Sequence, residues 1–241
     1  MFRAIFGVFL LAAPLAAEAA VIEATFTGHL FTGLDGLALF GAPAPIPAGL
    51  PVVTTFRYDT SLGGAPASPI YLDGREGGQM LGVASPILFS SITIGQKTFL
   101  GQNDGYAVLG IVDDPALGQG MVIGGTNGYP GGPQVGSFST ISAQFYGQGL
   151  SVPATIATPF SMTGLMGLNV QGATSRATGY FQFRTCPAAH QCGYTFGSYY
   201  VEDFSSRILP AAVPVPATGG ILAGGLGLLG LMRHRWKPRR H

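Results

Sequence analysis

Short runs of β-branched, aromatic and other apolar residues recur along most of the chain, and glycine and proline separate them. The chain has 241 residues, of which 38 are glycine and 18 are proline. No window between its two ends shows a 3.6-residue helical period, and runs of this length between turn residues are typical of strands. The runs are Val21–Phe31, Val52–Tyr58, Ile87–Ile94 with the hairpin partner Thr98–Leu100, Tyr106–Val112, Ser139–Tyr146, Thr178–Thr185 and Thr195–Phe204. Many short strands predict an all-β fold, a single β-sandwich or jelly-roll-like domain over residues 20–208.

Three stretches rich in proline and glycine punctuate these runs. They are Gly41–Pro51, Gly63–Pro69 and Gly124–Gly136. Proline and glycine interrupt strand pairing, so we expect surface loops. The alternative is that the stretches form a binding rim, since sandwiches often carry function on their loops.

The first 19 residues have the order of a secretory signal peptide. Arg3 precedes an apolar run from Ala4 to Leu15, and small residues follow. Ala17 and Ala19 occupy the −3 and −1 positions of an A-x-A cleavage site, which predicts a cut after Ala19. A retained anchor is the alternative, but a run of this length is short for about 30 Å of hydrocarbon. Helix is therefore expected only in this signal and in a C-terminal transmembrane segment.

Charge is distributed unevenly along the chain. Between residues 20 and 208 there are ten anions and six cations, for a net charge of −4, whereas five cations fall in residues 233–241. An acidic body offers no clustered basic surface, which argues against nucleic acid as a partner.

Two cysteines, Cys186 and Cys192, lie close together in the body. In an exported protein such a pair predicts a disulfide. The alternative is a metal site made of both thiolates and His190, but it lacks a fourth ligand and has no familiar zinc spacing.

The C-terminal end has three parts in a fixed order. Residues 209–218 are a proline-rich linker, residues 218–232 are an uncharged, glycine-rich run, and residues 233–241 are a basic tail. The linker contains the motif Val213, Pro214, Val215, Pro216 and Ala217. A 15-residue helix rises about 22 Å, which is short for a permanent span, and the cations predict a cytoplasmic tail.

This three-part end resembles the PEP-CTERM sorting domain, in its VPLPA-type variant. Val215 stands where leucine is usual. The resemblance implies recognition by an exosortase-like membrane cysteine peptidase after export by the general secretion translocase, and an association with exopolysaccharide. The start of the body, from ATFTGHLFTGLDGLALFG to TTFRYDTSLGG, also resembles, more loosely, β-rich proteins that carry this tail. A competing match is the sortase box LPxTG, from which Val215–Gly219 differs at one position.

The body carries no motif of an enzyme, a metal site or a cofactor site. It has no G-x-S-x-G, HExxH or P-loop. His29 is expected to be a surface residue rather than a general base. Asp35, Asp59 and Asp73 each sit beside turn residues, where carboxylates accept hydrogen bonds from local backbone N–H groups.

Two further sets of side chains have a binding role as an alternative. Oxygen ligands for calcium are available on either side of one short strand, from Asn103, Asp104, Asp113 and Asp114, although no EF-hand spacing is present. Aromatic rings can stack on sugars, although core packing is the default, and the candidates are Tyr106, Tyr129, Tyr199 and Tyr200.

Together these patterns predict an exported, non-catalytic protein of the cell surface or extracellular matrix, structural or adhesive and associated with exopolysaccharide or biofilm. The body is expected outside the cytoplasm, held briefly in the inner membrane and then released to the surface. A carbohydrate-binding module is the alternative, and a secreted hydrolase is a weaker one.

The tail generates a direct test of sorting. Replacing Pro214 and Pro216 with alanine should leave export intact but trap a longer, membrane-bound form, because the helix can then extend through the motif and the peptidase loses its extended substrate. Fractionation with antibodies against the body and a tag on the tail measures this. If body and tag stay together at full length in the membrane in the wild type, the sorting hypothesis is wrong.

Overall fold

The computed structural model of the chain describes residues 20–127, 136–170, 175–188 and 191–210. These residues form twelve strands and two short 3-10 turns, Gln79–Leu81 and Leu165–Val170, and they contain no α-helix. The strands are β1 (Val21–Asp35), β2 (Ala44–Pro45), β3 (Pro51–Asp59), β4 (Tyr71–Gly77), β5 (Ile87–Ile94), β6 (Lys97–Gly101), β7 (Tyr106–Asp114), β8 (Gly118–Thr126), β9 (Gly136–Gly147), β10 (Ser161–Met162), β11 (Arg176–Ala188) and β12 (Gln191–Ile208).

The all-β prediction is confirmed. In the part of the chain that the structure describes, no helix has the length and apolarity needed to cross a membrane. The signal and transmembrane helices were predicted for residues 1–19 and 218–232, which lie outside the described residues, as do Ala17, Ala19 and the motif Val213–Ala217.

All strands belong to one antiparallel sheet, in the order β4-β7-β8-β9-β11-β12-β1-β3-β5-β6, with β2 paired to β1 and β10 to β12. The first long strand therefore pairs with the last, in register from Ile22 opposite Ile208 to Asp35 opposite Thr195. This β1–β12 pairing, which we call the seam, joins two halves of the sheet: β1, β3, β5 and β6 on one side, and β12, β11, β9, β8, β7 and β4 on the other.

Alternation along each strand sends one set of side chains into a shared core. Ile22, Ala24 and Phe26 on β1 are fully buried, and Ile141 and Phe145 occupy the equivalent inner positions of β9. Residues two positions apart on a strand lie on the same face, so each of these strands buries one face in the core.

The sheet folds over so that the inner faces of its two halves meet. The Phe26 ring lies 6.0 Å from that of Phe56 on β3 and 6.4 Å from that of Phe145 on β9. The backbone N–H of Gln102, just after β6, donates to Ser139 Oγ of β9 at 2.8 Å. A sheet folded in this way is consistent with the predicted sandwich.

Tyr199 on β12 crosses the centre of this core. It is fully buried, and its hydroxyl donates to Thr54 Oγ1 at 2.7 Å. Burial raises the pKa of Tyr199, so the phenol stays neutral. Its ring lies over Gly179 on β11, where an added Cβ would be 1.9 Å from Tyr199 Cζ. Glycine is therefore required beneath the ring for steric reasons.

Four strands and one carboxylate differ from the expectation. The strands β2, β4, β8 and β10 were not predicted, and Gly124–Thr126, assigned to a loop, form the end of β8. Asp35 and Asp59 accept local backbone N–H bonds as expected. Asp73 does not: it lies in β4 and accepts instead from Thr155 Oγ1 at 2.7 Å, because β4 is an edge strand that the distant loop covers.

The predicted disulfide between Cys186 and Cys192 is present, with an S–S distance of 2.05 Å. It links the ends of β11 and β12 where their register shifts. Since both sulfurs are bonded to each other, the alternative thiolate metal site is excluded. His190, the third member of that alternative, lies outside the described residues.

Substituting Gly179 should test how tightly the core is packed. Gly179→Ala should lower the free energy of unfolding by about 1–3 kcal/mol, because the new methyl group overlaps the Tyr199 ring. Gly167→Ala is the matched control, since a Cβ there meets nothing within 4 Å. Urea denaturation measures both. If the methyl group overlaps the ring, a Gly179→Ala, Tyr199→Leu double variant should lose less stability than the two single variants together. A loss of unfolding free energy equal to their sum would contradict the proposed overlap.

Candidate functional site

The outer face of β1, β8, β9, β11 and β12 carries a groove of about 410 Å³. Two rows of side chains line it. Each row crosses neighbouring strands, and the register of the strands determines which side chains it contains. In one row Gln144 of β9 and Thr178 of β11 lie opposite each other, and in the next row Ser142 lies opposite Tyr180. Tyr180 is in turn opposite Ser198 of β12.

Two glycines on β8 flank the groove residue Val122. On the outer side of β8, Gly120 and Gly124 flank Val122, so one side chain projects where three would otherwise stand. A Cβ at Gly124 would lie 2.7 Å from Ser142 Cβ, and one at Gly120 would lie 2.6 Å from Tyr146 Cβ. These close approaches require glycine at both positions.

Aromatic rings form part of the groove wall. Phe31 on β1 is 39% exposed, and it stacks on Tyr200 of β12 with centroids 4.4 Å apart. Tyr180 is half-buried, and burial raises the pKa of its phenol. The hydroxyl is therefore neutral and able both to donate and to accept a hydrogen bond.

The polar side chains of the groove are not used by the fold. Within residues 20–127, 136–170, 175–188 and 191–210, no hydrogen bond involves the side chains of the lining residues Ser142, Gln144, Thr178, Tyr180 and Ser198. Each is half-buried, so part of its surface remains open to solvent. The groove therefore presents hydroxyl and amide groups, next to aromatic surface, that a ligand can bind.

One arginine lines this groove, and it differs from the other cations of the body. Arg176, the first residue of β11, is exposed, and among the described residues it has no ion pair, hydrogen bond or ring contact. The other five are engaged: Arg57 and Arg207 with Glu23, Arg75 with Asp73, Lys97 with the Leu39 carbonyl, and Arg184 with the Phe138 ring.

A second cavity, of about 370 Å³, opens between β6 and the ends of β9 and β11. Apolar side chains such as Phe99, Phe138 and Phe183 line much of it. Phe99 and Phe183 continue into the core, with centroids 5.0 Å apart. The outer-face groove combines polar and aromatic groups more evenly, and we take it as the candidate functional site.

The alternatives that the sequence left open have separate outcomes. His29 is exposed, and its Nδ1 lies 2.9 Å from Glu202 Oε1, as expected for a surface residue.

The calcium alternative is wrong, because Asn103–Asp104 and Asp113–Asp114 lie at opposite ends of β7, roughly 30 Å apart along an extended strand.

The four tyrosines considered for sugar stacking are distributed among different environments. Tyr199 is in the core. Tyr106 does not line the groove, and its hydroxyl donates a hydrogen bond of 3.3 Å to Glu76 Oε2. Tyr200 supports the groove wall through Phe31. Tyr129 lies outside the described residues.

Buried acidic groups in the body are held by structural partners. Burial opposes ionisation of Asp35, but hydrogen bonds from Thr195, Phe40 and Leu39 outweigh it and lower the pKa of that carboxyl. Among the described residues, no three histidine, cysteine or acidic side chains lie close enough together to hold a metal ion.

Sequence analysis singled out none of the lining residues, among them Phe31, Tyr180 and Arg176. Phe31 sits in an alternating strand at an outer position, and an aromatic at such a position was the available signal. Tyr180 alternates with inner residues in the same way. Nothing in the sequence marked Arg176, because its lack of a partner depends on the register of three strands.

Comparisons of the chain with protein-family models, with curated proteins and with solved structures find no match.

The ion pairs of Glu23 generate a prediction about acid stability. Glu23 is 8% exposed and accepts from Arg57 Nε at 2.8 Å and Arg207 Nε at 3.0 Å. The hydrogen bond from Arg57 is the largest influence that lowers the pKa of Glu23. This stabilisation is therefore present above the ordinary carboxyl pKa of about 4.3 and is lost as the pH falls through the lower value of the folded state.

Glu23→Gln should lower the free energy of unfolding at pH 7 by about 1–3 kcal/mol, and the gap to wild type should narrow by pH 3. Guanidinium denaturation at both values measures it. Glu202→Gln, which removes a more exposed carboxylate, is the control and should cost less at pH 7. A gap that is as wide at pH 3 as at pH 7 would show that the carboxylate charge is not what stabilises the fold.

Proposed function

We propose that the chain is an exported, non-catalytic protein of the cell surface or extracellular matrix, with a structural or adhesive role. The observation that carries this proposal is the outer-face groove, where aromatic and unengaged polar side chains lie together, whereas the buried carboxylates of the body serve the fold. Such a surface is suited to binding. The Cys186–Cys192 disulfide supports an oxidising environment outside the cytoplasm.

Sorting in this proposal depends on the two ends of the chain. The general secretion translocase exports the protein, the signal peptide is removed after Ala19, and residues 218–232 hold the chain in the inner membrane. An exosortase-like peptidase then acts at Val213–Ala217. The resemblance to the PEP-CTERM domain, VPLPA type, supports these steps.

The finer architecture is part of the proposal. We interpret the folded-over sheet as a β-sandwich, jelly-roll-like in having two facing layers with an aromatic core. Packing of Phe26 against both Phe56 and Phe145 supports this interpretation. In a sandwich of this kind the outer face of one layer is available for a partner.

The second candidate function is glycan binding, and it gives the adhesive role a mechanism. Sugar rings present C–H faces that pack on aromatic side chains, and their hydroxyls exchange hydrogen bonds with hydroxyl and amide groups. Tyr180 and Phe31 supply the first kind of contact. Ser142, Gln144 and Ser198 supply the second. Exopolysaccharide is the partner that this chemistry and the proposed location favour.

Binding to immobilised polysaccharides tests this function. Tyr180→Ala should weaken binding about tenfold or more, because the ring offers both stacking surface and a hydroxyl. Tyr194→Ala is the matched control, since Tyr194 is 37% exposed on the same outer face but does not line the groove. The assay is co-sedimentation of the full chain, in mild detergent, with a neutral β-glucan and with hyaluronan. Equal losses of affinity in both variants, or no binding of the wild type to either polymer, would contradict glycan binding by the groove.

A further inference from the structure

We propose that the outer-face groove takes an acidic glycan and that Arg176 binds a carboxylate of that glycan. This inference rests on the glycan binding proposed above, and it adds the chemical class of the ligand. It starts from the environment of Arg176, which is exposed and has no partner among the described residues.

The nearest acidic group in the strand register does not neutralise Arg176. Thr178, two residues after Arg176 on β11, lies opposite Tyr200 of β12. Because the strands are antiparallel, Glu202, two residues after Tyr200, is the β12 residue that the register brings next to Arg176. The Glu202 carboxylate is bonded to His29 instead, at 2.9 Å, and no ion pair joins Glu202 to Arg176. Arg176 thus keeps its full charge available at one end of the groove.

Arginine is well suited to a carboxylate. Its planar guanidinium presents a rigid pair of N–H donors that match the two oxygens, and such charged pairs are stronger than neutral hydrogen bonds. A neutral sugar would leave this charge without a partner. A uronic acid would supply one while its ring still packs in the groove.

The groove length indicates an oligomer. Arg176 and Tyr180 lie four residues apart on one strand, so their Cα atoms are about 13 Å apart. That distance exceeds a single sugar ring. A ligand that meets both side chains therefore contains at least two sugars, with the carboxylate at one end and the stacked ring near the other.

The overall charge limits how acidic the ligand is. The body carries ten anions and six cations, so a densely charged polymer is repelled. Because Arg176 is the cation that lines the groove, the groove can pair with one ligand carboxylate at a time. The chemistry therefore favours a polysaccharide with isolated uronates between neutral sugars over a heavily sulfated chain.

A pair of ligands that differ only at the carboxyl group tests this inference. The full chain in mild detergent is titrated with hyaluronan hexasaccharide, in which uronates alternate with neutral sugars, and with its carboxyl-reduced form. The wild type should bind the acidic form about tenfold more tightly. Arg176→Gln should abolish that preference while still binding the reduced form.

Arg184→Gln is the matched control, because Arg184 lies on the same face of β11 but contacts Phe138 and not the groove. It removes the same charge and should keep the preference. Loss of the preference in Arg184→Gln would overturn the role of Arg176 in favour of a general charge effect. Equal binding of both hexasaccharides by the wild type would overturn the inference and leave glycan binding standing. Binding of neither would overturn both.

Discussion

Pairing of the first long strand with the last determines how the rest of the structure is assembled. The sheet order places β1 and β12 side by side in the middle, with β3, β5 and β6 beyond one and β11, β9, β8, β7 and β4 beyond the other. Neither half closes the core alone, since Phe26 of β1 packs on Phe56 of one half and Phe145 of the other. Contacts this distant in sequence carry a large loop-closure cost, so the seam forms only when most of the chain is present.

The groove depends on that seam as well. Phe31 comes from β1 and its stacking partner Tyr200 from β12, while Ser142 and Tyr180 come from strands farther along one half. On β8, glycines flank the one residue, Val122, that lines the groove. The binding surface is thus built from outer positions of strands whose inner positions form the core, which holds the polar groups at fixed spacings.

Much of the fold was predictable from the sequence, and the exceptions have a common cause. The predicted strands had alternating or β-branched patterns that reflect burial of one face. The strands β4 and β8 were missed because glycines such as Gly74, Gly120 and Gly124 replace side chains where another strand or ring comes close. Arg176 could not be selected, since the absence of a partner is a property of neighbouring strands and not of the residue. The disulfide was predictable because its two cysteines are only six positions apart in the sequence.

The direction of β12 has a mechanical consequence. The strand runs from the groove level at Ser198 and Tyr200 to Ile208, and it is hydrogen-bonded on both sides, to β1 and β11, over part of its length. A tensile load applied between a ligand in the groove and the C-terminal end of β12 acts along the strand axis. Hydrogen bonds perpendicular to that axis then share the load in shear rather than breaking in sequence. Pulling the two ends of the seam apart at Ile22 and Ile208, which face each other, would instead unzip them one pair at a time.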